Sequence, residues 1–311
     1  MDPLDDVFAA MRVQSAVYAR LETRAPWGLS LAGGQSARFG LVVRGSCLLQ
    51  VEGRAGTISL TAGDCYVLAG GSPYVLCDDL KTPRVSCVQA VRDKVGGVVE
   101  LGAVDTTGKA IGTQATIICG WFSFDEASAQ PLTDLIPPVL HVRMDQARSN
   151  TLQASLQLLA METAEPDMGS GIVVSRLADI IFVHAIRAHI ANAGNDDMGW
   201  LTALADKKLG AALRAMHKDM AHNWTVESLA KAAGLSRSGF ALRFKEKVGE
   251  SPLEYLTRWR MFKAGCLLRQ HDKSLGEIAD LVGYESDVAF NKAFKRVKGV
   301  PPGEYRRNSL Q

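Results

Sequence analysis

The sequence predicts an α+β chain of several domains, with a β-rich N-terminal part and an all-α C-terminal part. Residues 27–125 are dense in glycine and in short apolar, β-branched runs such as FGLVVRG and TISLTAGDCYVLAGG. Such runs, separated by turn residues, are typical of an antiparallel sandwich or barrel. From Pro131 onward the apolar residues recur at helical spacing instead. The chain of 311 residues is long enough for two hydrophobic cores.

These patterns divide the chain into three regions. We expect a β-barrel domain over residues 1–130, a helical region over residues 131–199 and an all-α domain over residues 200–311. The stretch ANAGNDDMG at residues 191–199 is rich in turn-forming residues and is predicted to be a short linker.

The charge of the chain is divided unevenly. The net charge is +2, but residues 207–311 carry 20 Lys and Arg against 11 Asp and Glu, so the remainder has an excess of acid. This asymmetry indicates that the basic module binds a polyanion. No run approaches the ~20 apolar residues of a membrane span, and the acidic N-terminus is unlike a secretory signal. We therefore expect a cytoplasmic protein with no membrane partner.

The six cysteines show no spacing that is typical of a metal site. They are scattered over the chain, without CxxC pairs, and a cytosolic environment keeps cysteines reduced. We expect no metal and no other cofactor.

The C-terminal region contains an internal duplication. Three residues recur 49 positions later, namely Leu229, Ala230 and Gly234 as Ile278, Ala279 and Gly283. Five more recur 50 positions later, namely Phe240, Phe244, Gly249, Pro252 and Tyr255 as Phe290, Phe294, Gly299, Pro302 and Tyr305. In each copy a first helix, capped by Thr225 or by Ser274 with Glu277, precedes a glycine-containing turn and a second helix. This order is that of a helix-turn-helix motif, whose second helix enters the DNA major groove.

The second helix of each copy is predicted to have an aromatic core face and a polar outer face. Packing the phenylalanines inward turns another set of residues outward, namely Arg237, Ser238, Ala241, Leu242 and Lys245 in the first copy and Asp287, Val288, Asn291, Lys292 and Lys295 in the second. A solvated charged face on a helical bundle is the alternative, and the duplicated cores disfavour it. A helix over residues 252–270 is predicted between the copies, about 28 Å long at 1.5 Å per residue. This length approaches the ~34 Å between successive major-groove faces of B-DNA.

Residues 205–307 resemble the DNA-binding domain of the AraC/XylS family of bacterial transcription regulators. The resemblance rests on the paired motifs, on the closing segment GYESDVAFNKAFKRVKGVPPGEYRR and on the linker-helix pattern of Pro252, Tyr255, Arg260, Ala264, Leu267 and Leu268. The family implies binding to double-stranded promoter DNA, activation of transcription by contact with RNA polymerase, and control by a small ligand.

The resemblance also implies which residues contact DNA. Base contacts are expected from Arg237, Ser238, Ala241, Leu242, Asp287, Val288, Asn291 and Lys292, and phosphate contacts from Lys245, Lys295 and Arg296. Relatives often have Arg at the position of Leu242, which offers only apolar contact such as to a thymine methyl group. Arg237 or Arg243 is expected to compensate. Arg260 has two interpretations, a DNA contact or a structural ion pair.

Residues 27–125 are similar to the cupin-like sensor domain of one AraC-type subfamily. The supporting segments are FGLVVRGSCLLQVEG, GDCYVLAGGSPYVL and TIICGWFSFD. Gly40 and Tyr74 stand where relatives often have histidine, and the first histidine of the chain is His141. An iron or zinc site built on histidines is therefore not expected in this barrel, and cupin enzyme chemistry is not expected either.

Two hypotheses address what the N-terminal domain senses. A barrel of this size encloses about one small organic effector, and the aromatic candidates to line the pocket are Trp27, Phe39, Tyr66, Tyr74 and Trp121. The alternative is an oxidation sensor built from Cys47, Cys65, Cys77, Cys87 and Cys119, with Cys87 and Cys119 as the first candidates. Plain core packing is the simpler interpretation of both sets. The helices after Pro131 are expected to cover the barrel or to pair two subunits in a homodimer.

Three further functions remain as rivals. A DNA-repair methyl acceptor requires a four-cysteine zinc cluster, and a cupin oxygenase requires barrel histidines, of which residues 1–140 contain none. We therefore expect no enzyme activity. An effector-independent activator, in which the sensor fold serves only dimerisation, is the remaining alternative.

Overall fold

A computed structural model describes residues 3–6, 15–34, 37–68, 72–91, 98–102, 112–123, 137–143, 150–165, 167–192 and 199–309. The chain divides into two compact units. The first, the sandwich unit, comprises Val13–Phe124 and Ile136–Asn192. The second, the helical unit, comprises Met1–Arg12, Asp125–Leu135 and Ala193–Gln311. The first residues of the chain thus belong to the same unit as its last hundred.

The sandwich unit contains eleven described strands in two sheets. In chain order they are β1 (Ser15–Arg24), β2 (Gly28–Leu31), β3 (Ala37–Arg44), β4 (Ser46–Val51), β5 (Ile58–Thr61), β6 (Cys65–Leu68), β7 (Tyr74–Cys77), β8 (Val85–Ser86), β9 (Val98–Gly102), β10 (Gln114–Ser123) and β11 (Val139–Val142). One sheet has the order β11-β6-β3-β10-β1-β9 and the other β5-β4-β7-β2-β8. Most neighbouring pairs are antiparallel, as predicted from the short strands and glycine-rich turns.

The core of this unit lies between the two sheets. Leu29, Leu49 and Leu76 contribute from the five-stranded sheet, and Ile117 and Tyr66 from the six-stranded sheet. Alternate residues of each strand point to this core because side chains alternate across a strand.

Three helices lie in the described part of the sandwich unit: α1 (Cys87–Val91), α2 (Asn150–Ala164) and α3 (Ser170–Asn192). Helix α3 packs against β11, β1 and β6. Its buried residues include Val174, Ile181 and Phe182, while Ile172 and Ile180 are exposed. The helices therefore cover the six-stranded sheet with one face and leave apolar residues on another.

The helical unit contains eight described helices from residue 200 onward. They are α4 (Trp200–Ala205), α5 (Lys207–Lys218), α6 (Val226–Ala232), α7 (Arg237–Val248), α8 (Pro252–Gln270), α9 (Leu275–Leu281), α10 (Asp287–Lys298) and α11 (Pro302–Asn308). The predicted linker helix is present as α8, over the predicted residues. Residues 3–6 form a further helical turn, the N-terminal segment.

Local sequence signals begin these helices as predicted. Thr225 accepts a hydrogen bond from the amide of Ser228 at the start of α6. Ser274 and Glu277 form a reciprocal capping box at the start of α9. Another capping box, of Ser251 with Glu254, begins α8. Ser286 is the N-cap residue of α10 but its side chain makes no capping hydrogen bond.

The predicted fold class is confirmed in both units. The β-rich unit is a sandwich of two sheets and not a closed barrel. None of the described helices is long and apolar enough to cross a membrane.

Candidate DNA-binding surface

Helices α7 and α10 are the second helices of the two helix-turn-helix motifs, and their burial patterns repeat. In both, the buried face is aromatic, with Phe240 and Phe244 in α7 and Phe290 and Phe294 in α10. The ring centroids of these pairs are 5.6 Å and 5.8 Å apart. The duplication seen in the sequence is therefore a duplication of packing.

Each motif turns at a glycine with a positive φ angle. Gly234 has φ 62° between α6 and α7, and Gly283 has φ 79° between α9 and α10. A side chain at Gly283 would also lie 2.5 Å from the carbonyl oxygen of Ala221. The left-handed turn favours glycine because it carries no Cβ atom.

The predicted base-contacting residues lie on the outer faces of the two helices. In α7 the residues Arg237, Ser238 and Leu242 are exposed and Ala241 is half-buried. In α10 the residues Asp287, Val288 and Lys292 are exposed and Asn291 is half-buried. Two apolar side chains are notably open to solvent, Leu242 at 62% and Val288 at 64%. An exposed aliphatic residue among polar neighbours is available for contact with a partner.

Arg243 has a partner inside the helical unit, which differs from the predicted base contact. Its Nη2 atom lies 2.5 Å from Oδ2 of Asp206. Burial by itself raises the pKa of Asp206, but hydrogen bonds from the amides of Leu209 and Lys208 and from Arg243 outweigh burial and lower it. The equivalent position in α10 is the buried Ala293. The position therefore points sideways along the motif and anchors α7 to the start of α5.

The three predicted phosphate contacts are exposed. Lys245 belongs to the last turn of α7, and Lys295 and Arg296 to the last turn of α10. The pKa of Glu254 is lowered mainly by its hydrogen bonds with Ser251, and the charges of Lys245 and Arg296 contribute further. The basic ends of both outer helices thus lie within electrostatic range of the first turn of α8.

Arg260 is held by backbone carbonyl oxygens within the helical unit, which differs from both the predicted ion pair and the predicted DNA contact. Its guanidinium donates to the carbonyl oxygens of Met220 at 2.7 Å, His222 at 2.8 Å and Gly283 at 3.4 Å. A single side chain on α8 therefore holds the segment before the first motif and the turn of the second.

The five aromatic residues predicted to line an effector pocket are not brought together around one cavity. Trp27, Tyr66 and Tyr74 are buried in the core between the sheets. Phe39 points away from that core, because successive side chains of a strand point to opposite faces of the sheet. Together with Leu159 and Phe182 it borders a cavity of only about 10 Å³. Trp121 is 41% exposed. For Phe39 and Trp121 the structure therefore corrects the prediction.

The ring of Tyr66 fills the space that a side chain at position 40 would need. Gly40 pairs with Tyr66 across β3 and β6, and a Cβ atom on Gly40 would lie 2.2 Å from Cε1 of that ring. The ring of Tyr74 packs edge-on against Tyr66, with centroids 5.9 Å apart. These contacts explain physically why Gly40 carries no larger residue.

A larger open cavity lies beside the five-stranded sheet. Its volume is about 570 Å³, which is in the range of small-molecule sites. Buried Tyr74, Leu31 and Val51 border it together with polar residues that include Gln50 and Arg84. Sequence reasoning missed this cavity because strands that are distant in the chain form its wall.

The thiol pKa values of both predicted redox cysteines are raised, which disfavours the thiolate form. Burial raises the pKa of Cys119 to about 12. Burial also raises the pKa of the half-buried Cys87, with Arg38 acting in the opposite direction. Oxidation-sensing cysteines react as thiolates and are accessible, so this environment disfavours the redox hypothesis. Among the described residues, no group of three His, Cys, Asp or Glu side chains is placed to hold a metal.

Comparison with known proteins identifies the family. The Cupin family model matches residues 2–191, and the Helix-turn-helix domain model matches residues 229–308. A Streptomyces lividans protein named as an AraC-like transcription regulator is 39% identical over 309 residues, which cover 99% of each chain. This chain belongs to the AraC-like transcription regulators.

Other relatives of this AraC-like regulator carry related names. The HTH-type transcriptional regulator AlkR of Acinetobacter baylyi is 29% identical over 314 residues, 99% of this chain and 100% of AlkR. The "RCS-specific" transcriptional activator RclR of Escherichia coli is 33% identical over 200 residues, 63% of this chain and 69% of RclR. The chain is thus a DNA-binding transcription regulator with a cupin-type N-terminal domain.

Proposed function

We propose that this AraC-like regulator recognises a specific promoter duplex with α7 and α10, each placed in a major groove. The observation that carries the proposal is the repeated pattern of an aromatic buried face and a polar, cationic exposed face. At 19 residues, α8 spans about 28 Å, which suits two neighbouring major-groove segments.

The residues of the two outer faces have different tasks in this proposal. The base contacts come from Arg237, Ser238, Ala241, Leu242, Asp287, Val288, Asn291 and Lys292, and the phosphate contacts from Lys245, Lys295 and Arg296. Asn pairs with adenine, and Leu242 and Val288 contact thymine methyl groups. Arg243 is excluded from this set because Asp206 already holds it.

The test is selection of duplexes from a randomised library with the full-length protein at ~0.15 M salt, about physiological ionic strength, followed by anisotropy titration of the enriched duplex. We expect an enriched site that binds ~10³-fold or more tightly than a scrambled duplex. Equal binding to all duplexes would contradict sequence-specific recognition.

We also propose that the regulator acts in the cytoplasm as a homodimer through α2 and α3. Leu158, Met161, Ile172 and Ile180 are exposed on these helices, and exposed apolar patches mark interaction sites. A second copy of the same face would cover it. Sedimentation of an Ile180→Glu variant is expected to show monomer where the wild type shows dimer.

The bound dimer would activate transcription by contact with RNA polymerase, as the family resemblance implies.

For the effector we propose the open 570 Å³ cavity and not the filled space between the sheets. Arg84 is exposed at its border and faces Gln50, with Nη2 3.4 Å from Oε1. A guanidinium at a partly apolar cavity suits a small organic molecule with a carboxylate. A ligand of the native state raises the unfolding temperature, so a thermal-shift screen of organic acids tests this site. Absence of any shift would favour the effector-independent alternative.

A further inference from the structure

The N-terminal segment, residues 3–6, is buried within the helical unit although nearly two hundred residues separate it from α4. Leu4 is 7% exposed and Asp6 3% exposed. Asp5, between them, is exposed. Neither buried side chain has a role in the proposed DNA contacts, so the burial of this segment calls for another explanation.

The carboxylate of Asp6 bridges two helices. Its Oδ2 atom lies 3.0 Å from Nδ1 of His217 on α5, and its Oδ1 atom accepts a hydrogen bond of 2.9 Å from Nζ of Lys263 on α8. Helix α5 packs against α6 of the first motif, and α8 connects the two motifs. One carboxylate thus joins the helix before the first motif to the helix between the motifs.

The bridge continues through a chain of buried hydrogen bonds. Nε2 of His217 lies 2.7 Å from the hydroxyl of Tyr255, and that hydroxyl accepts the indole N–H of Trp200 at 2.7 Å. A carboxylate only accepts hydrogen bonds, so a neutral His217 carries its proton on Nδ1, and Nε2 accepts from Tyr255. Every member from Trp200 to Asp6 then has a complementary partner.

His217 and Lys263 together form a buried pair of hydrogen-bond donors around the carboxylate. The side chain of His217 is fully buried, and Lys263 is about three-quarters buried. Removing the carboxylate takes away an acceptor of Nδ1 and the anion beside Lys263, and the loss of a charged partner from a buried hydrogen bond is unfavourable. The site therefore places two donors, one of them cationic, where a carboxylate accepts from both, and the chain supplies that carboxylate.

We propose that the helical unit contains a carboxylate-binding site, made by His217 and Lys263, whose ligand is Asp6 of the N-terminal segment. The bound segment fixes α5 against α8 and thereby supports the first helix-turn-helix motif in the conformation that binds DNA. The statement about support rests on the proposed function, whereas the site itself does not.

The experiment compares Asp6→Asn with the matched control Asp5→Asn in the full-length protein. Segment-resolved hydrogen exchange is measured without DNA, and binding to the selected duplex is measured by anisotropy. We expect faster exchange in α5 and α8 for Asp6→Asn alone, with the strands of the sandwich unit unchanged. We also expect a fall in the unfolding temperature of roughly 4–8 °C and a roughly three- to tenfold loss of DNA affinity.

Two results would overturn the proposal. Unchanged exchange in α5 and α8 would show that Asp6 is not bound there. Tighter DNA binding by Asp6→Asn would show that the segment restrains the motif instead of supporting it. If Asp6→Asn does not fold, Lys263→Gln removes one partner at the rim and must reproduce the local exchange. Failure of the wild type to bind any duplex would count against the proposed function alone, because the exchange comparison needs no DNA.

Discussion

Gly40 and Tyr66 are directly paired across β3 and β6, and the tyrosine ring occupies the space that a Cβ atom of residue 40 would need. This contact fills the interior of the sandwich at residue 40. It also makes residue 40 a sensitive point of the core, since a packed interior tolerates little added volume.

The first prediction concerns that contact. Gly40→Ala is expected to destabilise the protein by about 1–3 kcal/mol, because the new methyl group must displace the Tyr66 ring. Gly171→Ala is the matched control, since nothing lies within 4 Å of the added atom there. Thermal unfolding measures both, and equal unfolding temperatures for Gly40→Ala and the wild type would contradict the described position of Tyr66.

A second prediction concerns base recognition by α10. The double substitution Asn291→Ala with Lys292→Ala is expected to relax preference for the selected duplex over a scrambled one, by about 1–3 kcal/mol for each base-reading side chain that is truncated. The control is Lys81→Ala, which removes an exposed cation of the sandwich unit. Unchanged discrimination in the double variant would refute the assignment of these two residues.

A third prediction separates phosphate contacts from base contacts. Lys295→Ala is expected to weaken binding to selected and scrambled duplexes alike. The slope of log affinity against log salt should become smaller by about one. Titrations at several salt concentrations measure this slope, and a slope identical to that of the wild type would place Lys295 away from the DNA backbone.

The fourth prediction tests the exposed leucine of α7. If Leu242 contacts a thymine methyl group, replacing thymine by uracil in the first half of the selected duplex weakens binding by the wild type. The Leu242→Ala variant should bind the thymine and uracil duplexes equally. Equal binding of both duplexes by the wild type would refute the methyl contact of Leu242. It would leave the proposal of DNA binding unaffected.

The fifth prediction concerns pH and Asp6. Burial raises the pKa of Asp6, but hydrogen bonds from His217 and Lys263 outweigh burial and place the pKa below its ordinary value. A carboxyl group with a lowered pKa stabilises the folded state above its unfolded pKa of ~3.9, and that stabilisation is lost as the pH falls through the folded value.

The wild type should therefore exceed Asp6→Asn in free energy of unfolding near pH 5, and the difference should shrink towards pH 2. The other charged or titratable groups in this network are His217, Lys263 and Tyr255, and all are present in both proteins. Urea unfolding at each pH measures the difference. A difference that stays constant with pH would argue against an ionised, hydrogen-bonded Asp6.

Much of the helical unit is predictable from sequence because its signals are local. Helix α8 covers the predicted residues, and the capping residues Thr225 and Ser274 begin helices where the sequence indicates. The aromatic repeat also identified which faces of α7 and α10 are buried. Residues spaced by three or four positions lie on the same face of a helix, so the phenylalanines mark the core face.

The features that sequence analysis missed depend on distant partners. The side of the sheet that Phe39 faces is set by the register of β3 with β6 and β10, which no local pattern specifies. Arg243 is of a residue type that often contacts DNA. Only its ion pair with Asp206 shows that it connects α7 to the start of α5. The partners of Asp6 are 211 and 257 residues away in the chain. No local sequence pattern around Asp6 could therefore predict them.

The two outer helices share a packing plan but carry different chemistry, with Arg237 and Leu242 on one and Asp287 and Lys292 on the other. Under the proposed binding mode, a single protomer would meet two unlike half-sites in a fixed order. Such a target is asymmetric and has a direction along the duplex. Inverting the site of one protomer would turn that protomer to face the other way along the duplex, so the orientations of two such sites would set how the two protomers of the proposed homodimer are arranged on a promoter.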